Sequence, residues 1–172
     1  MIRRFALASA IFIAVGSAAP AMAGTATDDL TVSSYVVNNC AIFVDDIGFG
    51  AYDPIVANGN SNSSLNATGS VTTICTSGAS ATITLGQGSN GGTGSTNAFP
   101  LRRLNDGGNN YLNYYLYQNQ VMSTVWGNTP DTGVSVNGNG LDQTIIVYGR
   151  ISGGQNVPAG SYSDTVVATV TF

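Results

Sequence analysis

The sequence predicts an all-β domain, an antiparallel sandwich or barrel of short strands, on three observations. Short apolar or alternating runs are separated by turns rich in Gly, Ser and Asn. After the first 23 residues, no window holds an i, i+3, i+4, i+7 apolar pattern that survives its glycine content. The chain also contains no Lys, Glu or His, so the residues that usually solvate a surface helix are missing.

Taken in order, the chain opens with a segment outside the fold. MIRRFALASAIFIAVGSAAPAMA has a basic pair, Arg3-Arg4, an apolar run from Phe5 to Val15, and small residues ending Ala21-Met22-Ala23. These are the three regions of a secretory signal peptide, residues 1–23, with the mature chain expected to start at Gly24. The apolar run is short for a bilayer-spanning helix and no second one follows, so no membrane span is expected after cleavage.

The expected strands are Leu30–Val37, Ala41–Val44, Ile47–Ala51, Val71–Cys75, Ala81–Leu85, Leu101–Leu104, Tyr111–Gln118, Thr144–Ile151 and Tyr162–Phe172. The stretches ANGNSNSSLNATGS (57–70) and GQGSNGGTGSTN (86–97) lack hydrophobic periodicity and read as loops. Asp106-Gly107-Gly108-Asn109 reads as a hairpin turn. In the last strand Val166, Ala168, Val170 and Phe172 share one face, and Thr165, Val167, Thr169 and Thr171 the other.

Removing 23 of the 172 residues leaves 149, enough for one domain with one core. Three arginines then stand against nine aspartates, a net charge of −6. Three scattered cations cannot neutralise a row of phosphates, which argues against nucleic acid as a partner. Cys40 and Cys75, the two cysteines of an exported chain, are expected to form a disulfide. It would close a loop worth about 3–4 kcal/mol in the chain-entropy description.

Catalytic chemistry has little to work with. Without His there is no imidazole base or metal ligand, and without Lys no Schiff base. Asp28-Asp29 and Asp45-Asp46 are adjacent pairs whose members would point to opposite faces of a strand, so they read as solvated turn residues. No enzyme activity, metal or cofactor is expected. Gly86-Gln87-Gly88-Ser89-Asn90-Gly91 fits G-x-G-x-x-G, but the next residues, GTGSTNAFP, cannot open the helix that binds a pyrophosphate. Tyr111, Tyr114, Tyr115, Tyr117 and Trp126 could form a sugar-binding platform, although core packing explains most of them. Arg102-Arg103 reads as an exposed basic pair protecting a strand edge.

Three stretches carry a resemblance: an early cysteine after an alternating segment, then YLNYYLYQNQVMSTVWGN, then IIVYGRISGGQNVPAGSYSDTVVATVTF. With Tyr114, Leu116-Tyr117, Trp126-Gly127, Tyr148-Gly149, Gln155, Pro158-Ala159-Gly160, Tyr162, Asp164 and Phe172 in that order, the mature chain resembles the spore coat protein U family. That family includes subunits of archaic chaperone–usher pili. Asn119 stands where the family often has Asp.

The resemblance implies an incomplete immunoglobulin-like β-sandwich, residues 40–172, lacking its final strand. A donor strand from a neighbouring subunit would complete it after a periplasmic chaperone has lent one, at an outer-membrane usher. Residues 24–39 would be the donor segment, with Leu30, Val32, Ser34 and Val36 entering the groove, and Val166, Ala168, Val170 and Phe172 would form the acceptor edge. On pattern alone, residues 30–37 fit strand A of a self-contained sandwich equally well. The implied role is a head-to-tail pilus subunit at the cell surface, serving adhesion and biofilm formation. The alternatives are a secreted or pilus-tip glycan-binding domain, a non-filamentous coat protein and, most distantly, an Asp-based hydrolase.

Overall fold

Runs of Val, Ile, Thr and Tyr bury one face and hydrogen-bond sideways, and in the computed structural model, which describes residues 22–172, they build two sheets. The chain divides into two units, one ending at Tyr35 and one spanning Val36–Phe172. In the first, residues 22–35 carry no regular secondary structure and are exposed throughout. The expected export signal lies, but for its last two residues, outside the described residues.

The second unit contains β1 (Cys40–Asp45), β2 (Leu65–Cys75), β3 (Ser80–Leu85), β4 (Arg102–Asn105), β5 (Tyr111–Tyr117), β6 (Val134–Asn137), β7 (Asp142–Ile151) and β8 (Ala168–Thr171). One sheet has the order β1-β2-β7-β5-β4, the other β6-β3-β8, and every pairing is antiparallel. This is the expected all-β architecture, an immunoglobulin-like sandwich. Val71, Ile83, Leu85, Leu112, Leu116, Trp126, Val147 and Ile151 are buried between the sheets. Cys40 and Cys75 sit opposite each other in the β1–β2 ladder and form the disulfide.

Several segments differ from expectation. Residues 30–37 form no strand, because no neighbour among the described residues pairs with them. Ile47–Ala51 carries no regular secondary structure and pairs with no strand among the described residues, the chain having left the ladder after the Asp45–Ser70 pair. It packs instead: a β-carbon at Gly149 would meet the Phe49 ring at 2.7 Å, so this glycine makes room for that ring. Leu65–Ser70, expected in a loop, is the first half of β2 and pairs with β7 from Leu65–Ile151 onward. β6 has no counterpart among the expected strands. The final strand is shorter than its pattern. Ser163 bridges Asn105 beside β4, and by Ala168 the chain has crossed to pair with β3.

The arginine pair is corrected most sharply. Arg102 is 1% exposed and belongs to the core. Its Nε donates to the Gly86 carbonyl, and Nη2 donates to those of Leu85 and Trp126, each at 2.8 Å. Burial lowers its pKa to about 10, which leaves it charged at neutral pH. Arg103, one residue on, faces outward with its guanidinium over the Tyr111 ring. The aromatics divide in the same way. Tyr114 and Trp126 are buried, the latter donating Nε1–H to the Ile83 carbonyl at 2.9 Å. Tyr111, Tyr115 and Tyr117 lie half-buried on the outer face of β5.

Asp164 is the second polar anchor. It accepts from the Tyr114 hydroxyl at 2.7 Å, the Ser89 amide at 2.8 Å, the Thr165 amide at 2.9 Å and the Asn90 side chain at 3.1 Å. The G-x-G-x-x-G loop thus wraps a carboxylate of its own chain. Gly88, at φ +79°, is where a β-carbon would collide with that carboxylate.

Arg102→Met should lower the urea midpoint of the purified subunit severely, since it orphans the buried carbonyls of Leu85 and Trp126 at about 1–3 kcal/mol each, and the part-buried one of Gly86 as well. Arg103→Gln should change it little. Equal effects would place the two side chains in the same environment and contradict the buried assignment.

Burial, followed by the bond to Asp164, raises the Tyr114 pKa above its ordinary value of 10.0. An unfolded tyrosine releases its proton near 10 while the folded one keeps it, so this contribution is intact below pH 10 and declines as pH rises further. Tyr114→Phe should cost about 1.5–3 kcal/mol at neutral pH, the range for a hydrogen bond to a charged group. It should also flatten the alkaline loss of stability in denaturant melts; an unchanged alkaline slope would show that another group causes it.

Candidate functional site

β8 has β3 on one side and is otherwise an edge strand, and β1 is an edge of the facing sheet. Between them lies an open groove of about 1080 Å³. One wall is the segment from Val44 to Tyr52, the other the segment from Val157 to Ala168, and Leu85, Leu112, Leu116 and Val147 lie at its floor. The apolar core therefore reaches a surface opening, which a closed sandwich would have covered with another strand.

The walls are fixed by local chemistry. The Tyr52 hydroxyl donates to the Ser152 carbonyl at 3.2 Å and accepts from the Gln155 amide at 2.9 Å. Gln155 imitates a neighbouring strand: its Oε1 accepts from the Asn113 amide at 2.8 Å and its Nε2 donates to the Asn113 carbonyl at 2.9 Å. Tyr162 donates its hydroxyl to the Pro158 carbonyl at 2.9 Å, closing the turn that begins the second wall. Asp164 then pins that wall to Tyr114 and to the loop after β3.

The backbone of this wall offers a free edge. The Thr165 and Val167 carbonyls accept from the Ser89 and Gly86 amides, on the β3 side. In an extended chain the next residues point their amide and carbonyl groups the other way. Val166 and Ala168 therefore present main-chain groups on the open side, and both line the groove with their side chains. Ala168, being small, leaves space above the floor.

The residues singled out from sequence separate into three groups. Val166 and Ala168 line the groove. Val170 shares their inward face but packs against the cluster of Cys75, Ala79 and Ala81 near the disulfide. Phe172 is 51% exposed and outside the groove lining. In the N-terminal segment, Leu30, Val32 and Val36 are 86–89% exposed, and Ser34 is exposed as well. So is Tyr35 on the alternate face, so exposure does not distinguish the two faces.

Sequence reasoning misses the first wall. The alternation at Ile47 and Phe49 suggests a paired strand, whereas both residues line an opening. Asn119, which departs from the family pattern, holds a turn: its Oδ1 accepts from the Ser123 amide at 3.0 Å and its Nδ2 donates to the Ser123 and Thr124 hydroxyls. Asp45, on β1, accepts from the Ser70 hydroxyl at 2.6 Å.

Comparison with known proteins fits this geometry. The chain is 45% identical over 158 residues to "Protein U" of Myxococcus xanthus, covering 89% of this chain and 88% of that protein. Its fold is similar to one solved in a chaperone–tip adhesion subunit pre-assembly complex from archaic chaperone-usher Csu pili of Acinetobacter baumannii. The TM-score there is 0.55 at 22% identity, and the match covers 80% of this chain but 40% of that one. The family model described as Spore Coat Protein U domain matches residues 26–169. The chain belongs to the Spore Coat Protein U domain family.

Proposed function

We propose that the protein is a structural subunit of a chaperone–usher surface pilus that polymerises by donor-strand exchange and carries no catalytic site. The observation that carries this reading is the groove beside β8, which has an apolar floor and a main-chain edge that no strand among the described residues pairs with. An extended segment entering it would gain hydrogen bonds from its backbone and pockets for alternate side chains. Within residues 24–39, the stretch from Leu30 to Val36 has the matching character: it is exposed, belongs to no strand, and carries Leu30, Val32 and Val36 at alternate positions. A neighbour's Leu30, Val32, Ser34 and Val36 would enter the groove of the next subunit, and Val166 and Ala168 would meet them, with Val170 and Phe172 continuing the edge.

Such a contact joins two different surfaces of identical chains and does not close on itself, so it propagates as a filament. A periplasmic chaperone would occupy the groove first, and an outer-membrane usher would exchange it for the next subunit. On this reading the assembled protein would stand at the cell surface and support adhesion and biofilm formation. The family description favours a second reading, a non-filamentous coat; electron microscopy of the assembled material separates a fibre from a coat layer.

Deleting residues 25–37 should leave a subunit that still binds its chaperone, because the groove is intact, but cannot extend a polymer. Normal filaments from the truncated chain would remove residues 30–37 from the donor role.

The register is tested by two substitutions on one segment. A Val or Leu side chain buried in the groove is worth about 1.5–3 kcal/mol. Val32→Asp would bury a carboxylate opposite apolar groups, so its polymers should dissociate in mild denaturant. Thr31→Asp, on the opposite face, should be tolerated better. Greater damage from Thr31→Asp would mean that the other face is buried.

A further inference from the structure

We propose that the outer face of the five-stranded sheet is a binding site for acidic saccharides, in which Arg103 and Arg150 take carboxylates and Tyr115 and Tyr117 take sugar ring faces. This face lies on the side of the sheet away from the core. The ladders place its residues in rows: Asn66 beside Arg150 beside Tyr115, then Thr68 beside Tyr148 beside Tyr117, with Arg103 opposite Asn113.

Charge supports an anionic ligand. Of the three cations among the described residues, Arg102 is buried and the other two both stand here. No aspartate occupies these rows, although the mature chain is acidic overall. Both guanidinium groups lie over aromatic rings, Arg103 at 3.9 Å from the Tyr111 centroid and Arg150 at 5.9 Å from that of Tyr117. Stacking orients a guanidinium and leaves donors at its edge for a carboxylate. Arg103 uses Nε and Nη2 on the carbonyls of Asn90 and Gly91, and Arg150 uses Nε on the Asn66 side chain. In both, Nη1 has no partner among the described residues.

Shape and polarity favour a saccharide over an acidic protein. A pocket of about 450 Å³ opens between Arg103 and Tyr115, with Asn113, Thr93 and Leu101 around it, within the usual range for small-ligand sites. Tyr115 and Tyr117 are 6.2 Å apart and tilted by 39°, giving two adjacent ring surfaces. The rim offers the Asn113 amide and the Thr93 hydroxyl, groups suited to sugar hydroxyls. Leu101 is the one aliphatic side chain lining the pocket, and it is 37% exposed.

The test is calorimetric titration of the mature full-length protein with hexagalacturonate, and with maltohexaose as the neutral counterpart. Hexagalacturonate should bind and maltohexaose should not, and affinity should fall as NaCl rises from about 0.05 to about 0.5 M. Arg150→Gln and Arg103→Gln should each weaken binding by about tenfold or more, the loss of a charge-assisted hydrogen bond, while leaving the urea midpoint near wild type. Tyr115→Ala should weaken it as well. Equal affinity for the two hexasaccharides, no binding, or arginine variants that bind normally would overturn the proposal. So would sedimentation showing self-association that the same substitutions abolish, because the face would then be an interface between copies.

Discussion

A strand whose side chains belong to a core, but whose main chain is unpaired on one side, sets the terms for the whole molecule. β8 is in that position: β3 takes one row of its amides and carbonyls, and the other row faces the groove. Water can satisfy those groups, but the apolar floor beside them loses the burial that a further strand would provide. A closed immunoglobulin-like sandwich resolves both demands within one chain. Here they stay coupled at one site, so a single extended segment can satisfy both.

An opening of this kind persists only if its walls do not collapse into it, since packed interiors tolerate few voids. The wall from Val157 to Ala168 is held by side chains that substitute for missing backbone pairing. Gln155 pairs with Asn113 of β5 just beyond the end of the β5–β7 ladder, Tyr162 ties off its own turn, and Asp164 collects four donors where the chain passes between sheets. Arg102 serves the neighbouring gap. The carbonyls of Leu85, Gly86 and Trp126 converge where β3 ends, and one buried guanidinium answers all three. A polar frame around an apolar groove keeps it open without filling it.

Much of this frame is legible in the sequence as residues but not as roles. Gln155, Tyr162, Asp164 and Tyr114 carry the family resemblance, and their hydrogen bonds explain why those residue types stand there. Arg102 and Arg103 look equivalent, though strand alternation requires one of two neighbours to face inward; that signal is present in the chain and points to a buried arginine. Leu65–Ser70 hides as a strand because one set of alternate residues is Asn66, Thr68 and Ser70 and the other includes Gly69, which leaves no hydrophobic alternation to detect. β6 is only four residues between glycines. Residues 30–37 have a strand's pattern without a partner, and no single-chain argument supplies one.

The two proposed surfaces make compatible demands on the molecule. Donor-strand exchange uses the groove and the edges of β1 and β8, whereas the tyrosine–arginine face is the outer side of the sheet, centred on β5 and β7. Completing the groove would leave that outer face available and would repeat it once per subunit along a polymer. A site built from two arginines and a few ring faces is expected to bind one acidic sugar weakly, because the guanidinium groups remain half in water. Repetition changes that outcome. When sites on one filament engage one polysaccharide chain, each later contact forms at high effective concentration, and avidity can exceed single-site affinity by about 10²–10⁴-fold. Polymerisation would then convert a marginal surface into an effective one, so attachment would depend on assembly even though no groove residue touches the saccharide.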